Sequence, residues 1–199
     1  SGALIVGGAL LVKLTENIPW LGAFFNSVSA RTAGFSTYPL GNFSNAGLLV
    51  MTFLMFVGAS PGSTGGGIKT TTLFVLLQGI KSSATNRSEK AFRYSVPKDA
   101  FKKAAIITLL GVGIVFTGTF IFCALEPQLG LSDVLFEIVS AFGTVGLSTG
   151  ITPTIGTGAK LLSIVLMYIG RLGPLTVASL WYFTIGERVR YPEGTIAIG

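Results

Sequence analysis

Two stretches of this sequence carry the same residue types in the same order. Val28-Ser29-Ala30 leads through Arg31 into Thr32-Ala33-Gly34-Phe35-Ser36-Thr37. Val139-Ser140-Ala141 leads through Phe142 and Gly143 into Thr144-Val145-Gly146-Leu147-Ser148-Thr149. The chemistry open to such a phrase is coordination of a cation by backbone carbonyls. Thr32, Ala33, Gly34 and Phe35, with Thr144, Val145, Gly146 and Leu147, could offer their oxygens in place of the hydration shell of an alkali ion. Glycine permits the backbone angles that such a segment requires. One Thr-x-Gly-x run is ordinary loop sequence. Two of them about 110 residues apart, each between a short apolar helix and a longer apolar run, point to a duplicated pore-forming unit.

A second candidate is the run Gly58-Ala59-Ser60-Pro61-Gly62-Ser63-Thr64-Gly65-Gly66-Gly67-Ile68-Lys69. A phosphate loop needs lysine directly after its second glycine and a strand before the first. Here Ile68 intervenes, and the run interrupts an apolar stretch, so nucleotide binding is rejected. A passive kink or a mobile plug remains. Five glycines within residues 58–67 exceed what a kink needs, which favours the plug. Gly58, Gly62, Gly65, Gly66, Gly67 and Lys69 are its expected gating residues, with Lys69 anchored by a neighbouring acid. Arg171 sits about ten residues into an apolar run, where a lipid-facing arginine costs roughly 2.5–3.5 kcal/mol. It is expected to face a polar path and raise an electrostatic barrier beneath the carbonyls. The structural alternative pairs it with Glu137, which could instead be an anchor for its own short helix.

The elements that must position these residues are membrane elements. Half the residues are hydrophobic and 11% are charged, with mean hydropathy +0.71. A soluble domain carries about a quarter charged residues. With no histidine and one cysteine, Cys123, the chain has neither a disulfide framework nor a His/Cys metal set. Residues 1–14 read as the end of a membrane helix that began earlier, and the chain as a fragment or the second half of a longer protein. Residues 19–31 and 133–142 are too short to span a bilayer, which takes about 20 residues. Each reads as the descending arm of a re-entrant loop. Residues 46–57 and 70–80 read as one span broken at the glycines. Residues 104–125 form a full span, and residues 161–185 a final one.

The expected fold is an all-α membrane protein with two helix–re-entrant pore loop–helix repeats. Residues 1–81 hold the first repeat and its intramembrane loop 58–69, and residues 104–185 the other. Residues 82–103 form a basic linker and residues 186–199 a polar tail with Arg188 and Arg190. Residues 81–103 carry seven basic side chains against Glu89 and Asp99, so the positive-inside rule makes linker and tail cytoplasmic. Trp20 and Trp181 suit the membrane interfaces. The net charge of +6 is cytosolic-loop charge, not a nucleic-acid signature.

The pieces Ser29-Ala30-Arg31-Thr32-Ala33-Gly34-Phe35, Gly62-Ser63-Thr64-Gly65-Gly66-Gly67-Ile68-Lys69, Ala141-Phe142-Gly143-Thr144-Val145-Gly146-Leu147-Ser148 and Gly170-Arg171-Leu172-Gly173-Pro174 resemble the Trk/Ktr/HKT superfamily of potassium transporters. The tail Glu187-Arg188-Val189-Arg190-Tyr191-Pro192-Glu193 looks most like the Ktr membrane subunit. The resemblance implies four repeats around a pseudo-fourfold pore, of which this chain would be the third and fourth. It implies that Gly34 and Gly146 are filter glycines, that residues 58–69 are the intramembrane gating loop and that Arg171 lies opposite it. It further implies a plasma-membrane homodimer and a cytosolic nucleotide-binding ring on the basic side. Two further repeats of the same subunit would complete the filter, so half a filter alone should not conduct. Potassium is the expected ion, sodium a candidate activating ion, and no organic cofactor is expected. Rival readings are an ion-coupled secondary transporter with broken helices, a structural subunit, and a membrane enzyme. The enzyme lacks general acid–base candidates.

Overall fold

The computed structural model describes residues 1–85, 90–91, 94–95, 98–174 and 176. Among them are seven α-helices: α1 (Gly2–Thr15), α2 (Trp20–Ser29), α3 (Asn45–Phe56), α4 (Thr70–Thr85), α5 (Lys98–Leu125), α6 (Leu131–Phe142) and α7 (Thr157–Leu172). At 1.5 Å per residue, α2 and α6 are roughly 15–18 Å long, about half of a hydrocarbon core. Among the described residues only α5 is long and apolar enough to cross a membrane, over Asp99–Leu125. Where one broken span is expected stand two helices, α3 and α4, with residues 57–69 between them.

Three departures from the expected boundaries have local causes. Helix α4 continues to Thr85, and α5 starts at Lys98, so both helices extend into the basic linker. Asp99 in the first turn of α5 complements the positive end of the helix dipole. Within the linker, Lys90–Ala91 (β1) and Tyr94–Ser95 (β2) pair antiparallel, Lys90 opposite Ser95 and Ala91 opposite Tyr94. This two-residue hairpin is a small exception to the all-α expectation. Helix α7 begins at Thr157 and stops at Leu172, where Gly173 at φ 91° caps it. The rest of the expected final span, Trp181 and the tail with Arg188 and Arg190 lie outside the described residues.

Helix α1 packs on α2 and α3, α5 on α6 and α7, and α6 on α7. Contact between α3 and α6 joins the halves, and α4 lies against α5. Val12, Met51, Met55, Phe122, Phe136, Ile138 and Phe142 are fully buried at these seams. Lipid is as apolar as leucine, so close van der Waals packing rather than hydrophobic transfer holds such seams. Small residues permit it: Gly8 lies against Ser27 and Leu54, and Gly170 against the carbonyl of Phe142. The opposite face of α5 exposes Leu109, Val112, Phe116 and Phe120 at helical spacing, a surface suited to lipid.

Each half closes with the same staple. Glu16, just after α1, accepts hydrogen bonds from the Ser44 N–H at 2.9 Å and the Ser44 hydroxyl at 2.7 Å, at the start of α3. Glu126, just after α5, accepts from the Gly156 N–H at 2.5 Å, at the start of α7. A carboxylate satisfies the orphan donors of a helix N-terminus and matches its dipole. The staples tie the end of α1 to the start of α3 and the end of α5 to the start of α7, the helices before and after the short helix of each half.

Candidate functional site

Helices α2 and α6 each lead into a segment of irregular backbone, and the two segments match. Thr32 and Gly34 stand at φ 72° and 80°, and Thr144 and Gly146 at φ 51° and 94°. A β-branched residue in the left-handed region is a strained outlier, worth of order 1–3 kcal/mol, and such strain gathers at functional sites. Here it occurs twice at equivalent places. In an extended strand successive carbonyls alternate sides. Left-handed residues at every second position turn alternate peptides over, which can bring successive oxygens to one side.

The two segments meet backbone to backbone. A Cβ on Gly34 would collide with the carbonyl oxygen of Val145, and one on Gly146 would lie 3.9 Å from the Gly34 Cα. Behind them, the Ser29 carbonyl accepts from the N–H groups of Ala33 at 3.0 Å and Gly34 at 3.1 Å. The Ser140 carbonyl accepts from Val145 at 2.9 Å. The Ser29 hydroxyl donates to the Phe35 carbonyl, and the Ser140 hydroxyl to that of Leu147 at 2.6 Å.

Glu137 is committed elsewhere than to Arg171. Its carboxylate accepts from the Ser148 hydroxyl, from the Thr149 N–H at 3.1 Å and from the Thr152 hydroxyl at 3.3 Å. It anchors the chain leaving the second segment, so the suggested Glu137–Arg171 pair is replaced by this anchor. Asn26, at the matching place in α2, is fully buried and donates to the Gly22 carbonyl at 3.0 Å.

The glycine-rich run seats against the lower ends of both segments. Val57 and Ile68 form a parallel bridge, with the Ile68 N–H on the Phe56 carbonyl at 3.1 Å, so the run leaves and re-enters the helices at one point. The Gly66 N–H donates to the Thr144 hydroxyl at 2.8 Å. Gly65 lies so close to Thr32 that a Cβ would stand 2.5 Å from its hydroxyl oxygen. Gly67 packs 3.4 Å from the Gly143 Cα, measured in the same way. Arg31 donates through Nη2 to the Gly58 carbonyl at 2.8 Å. Gly62 faces open space.

Lys69 corrects its expectation. Its ammonium donates to the carbonyls of Gly65 and, at 3.4 Å, Ser63, in place of the neighbouring acid. A tight loop has its own carbonyls to satisfy, and Lys69 closes on two of them. Arg171 is exposed in the last turn of α7, not in the middle of a continuous helix. Gly170 beside it touches the end of α6, and Arg171 is near enough to Lys69 for the two charges to repel.

The structure thus brings together Thr32, Gly34, Thr144, Val145, Gly146, Gly58, Gly65 and Gly66, with Lys69 holding the glycine-rich run and Arg171 near Lys69. Sequence reasoning passed over Ser29, Ser140 and Arg31. The signals were present: Val-Ser-Ala is written twice, and Arg31 is the one charge between Glu16 and Lys69.

Two short helices that lead into paired threonine–glycine segments, inside a bundle with an apolar outer face, have the architecture of a membrane protein. The chain belongs to the TrkH family of cation transport proteins, whose family model matches residues 5–184. It is 37% identical to Ktr system potassium uptake protein B of Bacillus subtilis, over 89% of this chain and 40% of that protein. The protein of that name from Vibrio alginolyticus is also 37% identical, over 94% and 41%. Potassium/sodium uptake protein NtpJ of Enterococcus hirae is 35% identical, over 96% and 44%. The crystal structure of the potassium transporter TrkH from Vibrio parahaemolyticus matches with TM-score 0.73 at 20% identity, over 91% of this chain and 42% of that one. The fold is therefore of the TrkH kind. The chain spans about 40% of the length of the curated relatives it matches.

Proposed function

We propose that this chain is the third and fourth of four pore repeats in a potassium uptake protein. Each repeat is helix, re-entrant pore loop, helix, and the two together make half of a pseudo-fourfold pore. Residues 32–35 and 144–147 form half of a carbonyl-lined selectivity filter. The observation that carries this reading is the pair of threonine–glycine segments at matching left-handed φ, meeting at Gly34 and Val145. The short helices α2 and α6 aim their partially negative C-terminal ends at the ion path. A cavity of about 400 Å³ flanks Gly146, lined in part by Glu137, Ser140 and Lys160.

Residues 58–69 act as the gate. Seated against Thr32 and Thr144, they close the inner end of the filter, and Arg171 adds a cationic barrier at the rim. Potassium flows down its electrochemical gradient once the loop withdraws. Two of the relatives above are named for potassium uptake and one for potassium and sodium, which supports these two ions as the candidates. The completed protein is a plasma-membrane homodimer whose basic linker faces the cytoplasm and a nucleotide-binding regulatory ring.

The test is potassium and sodium flux into liposomes carrying the full-length protein, with and without Gly146→Ser. A side chain at φ 94° is strained and distorts the carbonyls. Potassium-preferring flux that loses its preference in the variant is the expected result. Flux indifferent to the substitution overturns the filter.

A further inference from the structure

We infer that Ser29 and Ser140 are positioning residues for ion selectivity, and that the ion-facing carbonyls end at Gly34 and Gly146. Phe35 and Leu147, though part of the repeated phrase, then contribute no ligand. This rests on the filter proposed above and narrows it.

Each serine holds its loop at two places. Its backbone carbonyl takes the N–H just before or at the glycine: Ala33 and Gly34 on Ser29, Val145 on Ser140. Its hydroxyl takes the carbonyl just after the glycine: Phe35 on Ser29, Leu147 on Ser140. The filter glycine is bracketed on both sides by one residue of the short helix. Both serines are buried, at 2% and 4% exposure, so water is a poor substitute for the hydroxyl. The arrangement survives the one-residue difference between the copies, Arg31 against Phe142-Gly143, which argues that the bracket itself is what the fold keeps.

The consequence is directional. A carbonyl that accepts from the helix behind the loop points away from the ion path. The same bond fixes the peptide after the glycine, and thereby the plane of the glycine carbonyl that would face the ion. Without the hydroxyl, the carbonyl after the glycine, buried at Leu147 and part-buried at Phe35, loses its partner and is free to turn toward whatever cation or water it meets. Discrimination among ions depends on the number and placement of such oxygens, so selectivity should degrade before the fold does.

The test is Ser29→Ala and Ser140→Ala in the full-length protein, with Ser→Thr at each position to restore the hydroxyl, and Gly146→Ser alongside. Potassium and sodium flux into liposomes is measured with the melting temperature in detergent. The expected result is a loss of potassium preference on the order of tenfold in each alanine variant, the size of one hydrogen bond. Melting should fall by no more than the several degrees that one lost hydrogen bond costs, with the protein still folded and preference recovered in the threonine variants. Alanine variants that keep full preference while Gly146→Ser loses it overturn the bracket and leave the filter standing. Alanine variants that lose preference only together with their fold, unrescued by threonine, assign the serines to packing and also overturn it. If Gly146→Ser itself changes nothing, the filter fails and the bracket with it.

Discussion

A methyl group on Gly66 should open the gate. A Cβ built there stands 2.8 Å from the Thr144 hydroxyl oxygen and 3.0 Å from the carbonyl oxygens of Phe142 and Gly143. Thr144 could swing away, but it would then drop its bond to the Gly66 N–H. The two carbonyls are less able to yield, because the Gly143 N–H is tied to Val139 at 2.8 Å in the last turn of α6. Overpacking of this kind costs typically about 1–3 kcal/mol. The cost falls on the seated loop alone, so it shifts the balance toward the withdrawn loop by about 5–150-fold. If the withdrawn state holds about 0.1–10% of the population, flux rises by a large part of that factor before it saturates. Gly66→Ala in the full-length protein, measured as potassium flux into liposomes at matched protein content, is the assay. Gly113→Ala is the control, since a Cβ there meets nothing within 4 Å. Flux that is unchanged or lower in Gly66→Ala, with melting and potassium preference retained, refutes the claim that the seated loop obstructs the path.

Arg31→Met removes the tie to the Gly58 carbonyl and should raise flux roughly tenfold or more, since hydrogen bonds from charged groups are worth about 1.5–3 kcal/mol; Arg31→Lys should recover part of the closure. Arg171→Gln should raise potassium flux at unchanged melting temperature; a fall in melting without a gain in flux would make Arg171 a structural residue. Glu16→Ala and Glu126→Ala each break one staple, at about 1–2 kcal/mol per lost cap. Each should lower the melting midpoint by several degrees without altering potassium preference, and a change in preference would mean that the staples reach the filter.

The sequence by itself determined the membrane character, the duplicated phrase, the short helices and the break at the glycines. These are legible because they are local: a helix too short to span, a glycine run inside an apolar stretch and a repeated Thr-x-Gly are all read along the chain. Asp133 in the first turn of α6 is likewise a one-dimensional signal, and it is where the dipole wants it. The partners of the polar side chains were not legible. Lys69 was expected on an acid and found loop carbonyls; Glu137 was considered for Arg171 and took Ser148, Thr149 and Thr152. In a low-dielectric interior most buried polar groups take a partner, and which one depends on distances that only the packed chain sets. Arg31 and Gly58, 27 residues apart, and Gly66 and Thr144, 78 apart, are neighbours because α3 packs on α6 and carries the loop across both threonine–glycine segments. Sequence spacing holds no trace of that crossing, so the loop was visible from the start and its seat only in three dimensions.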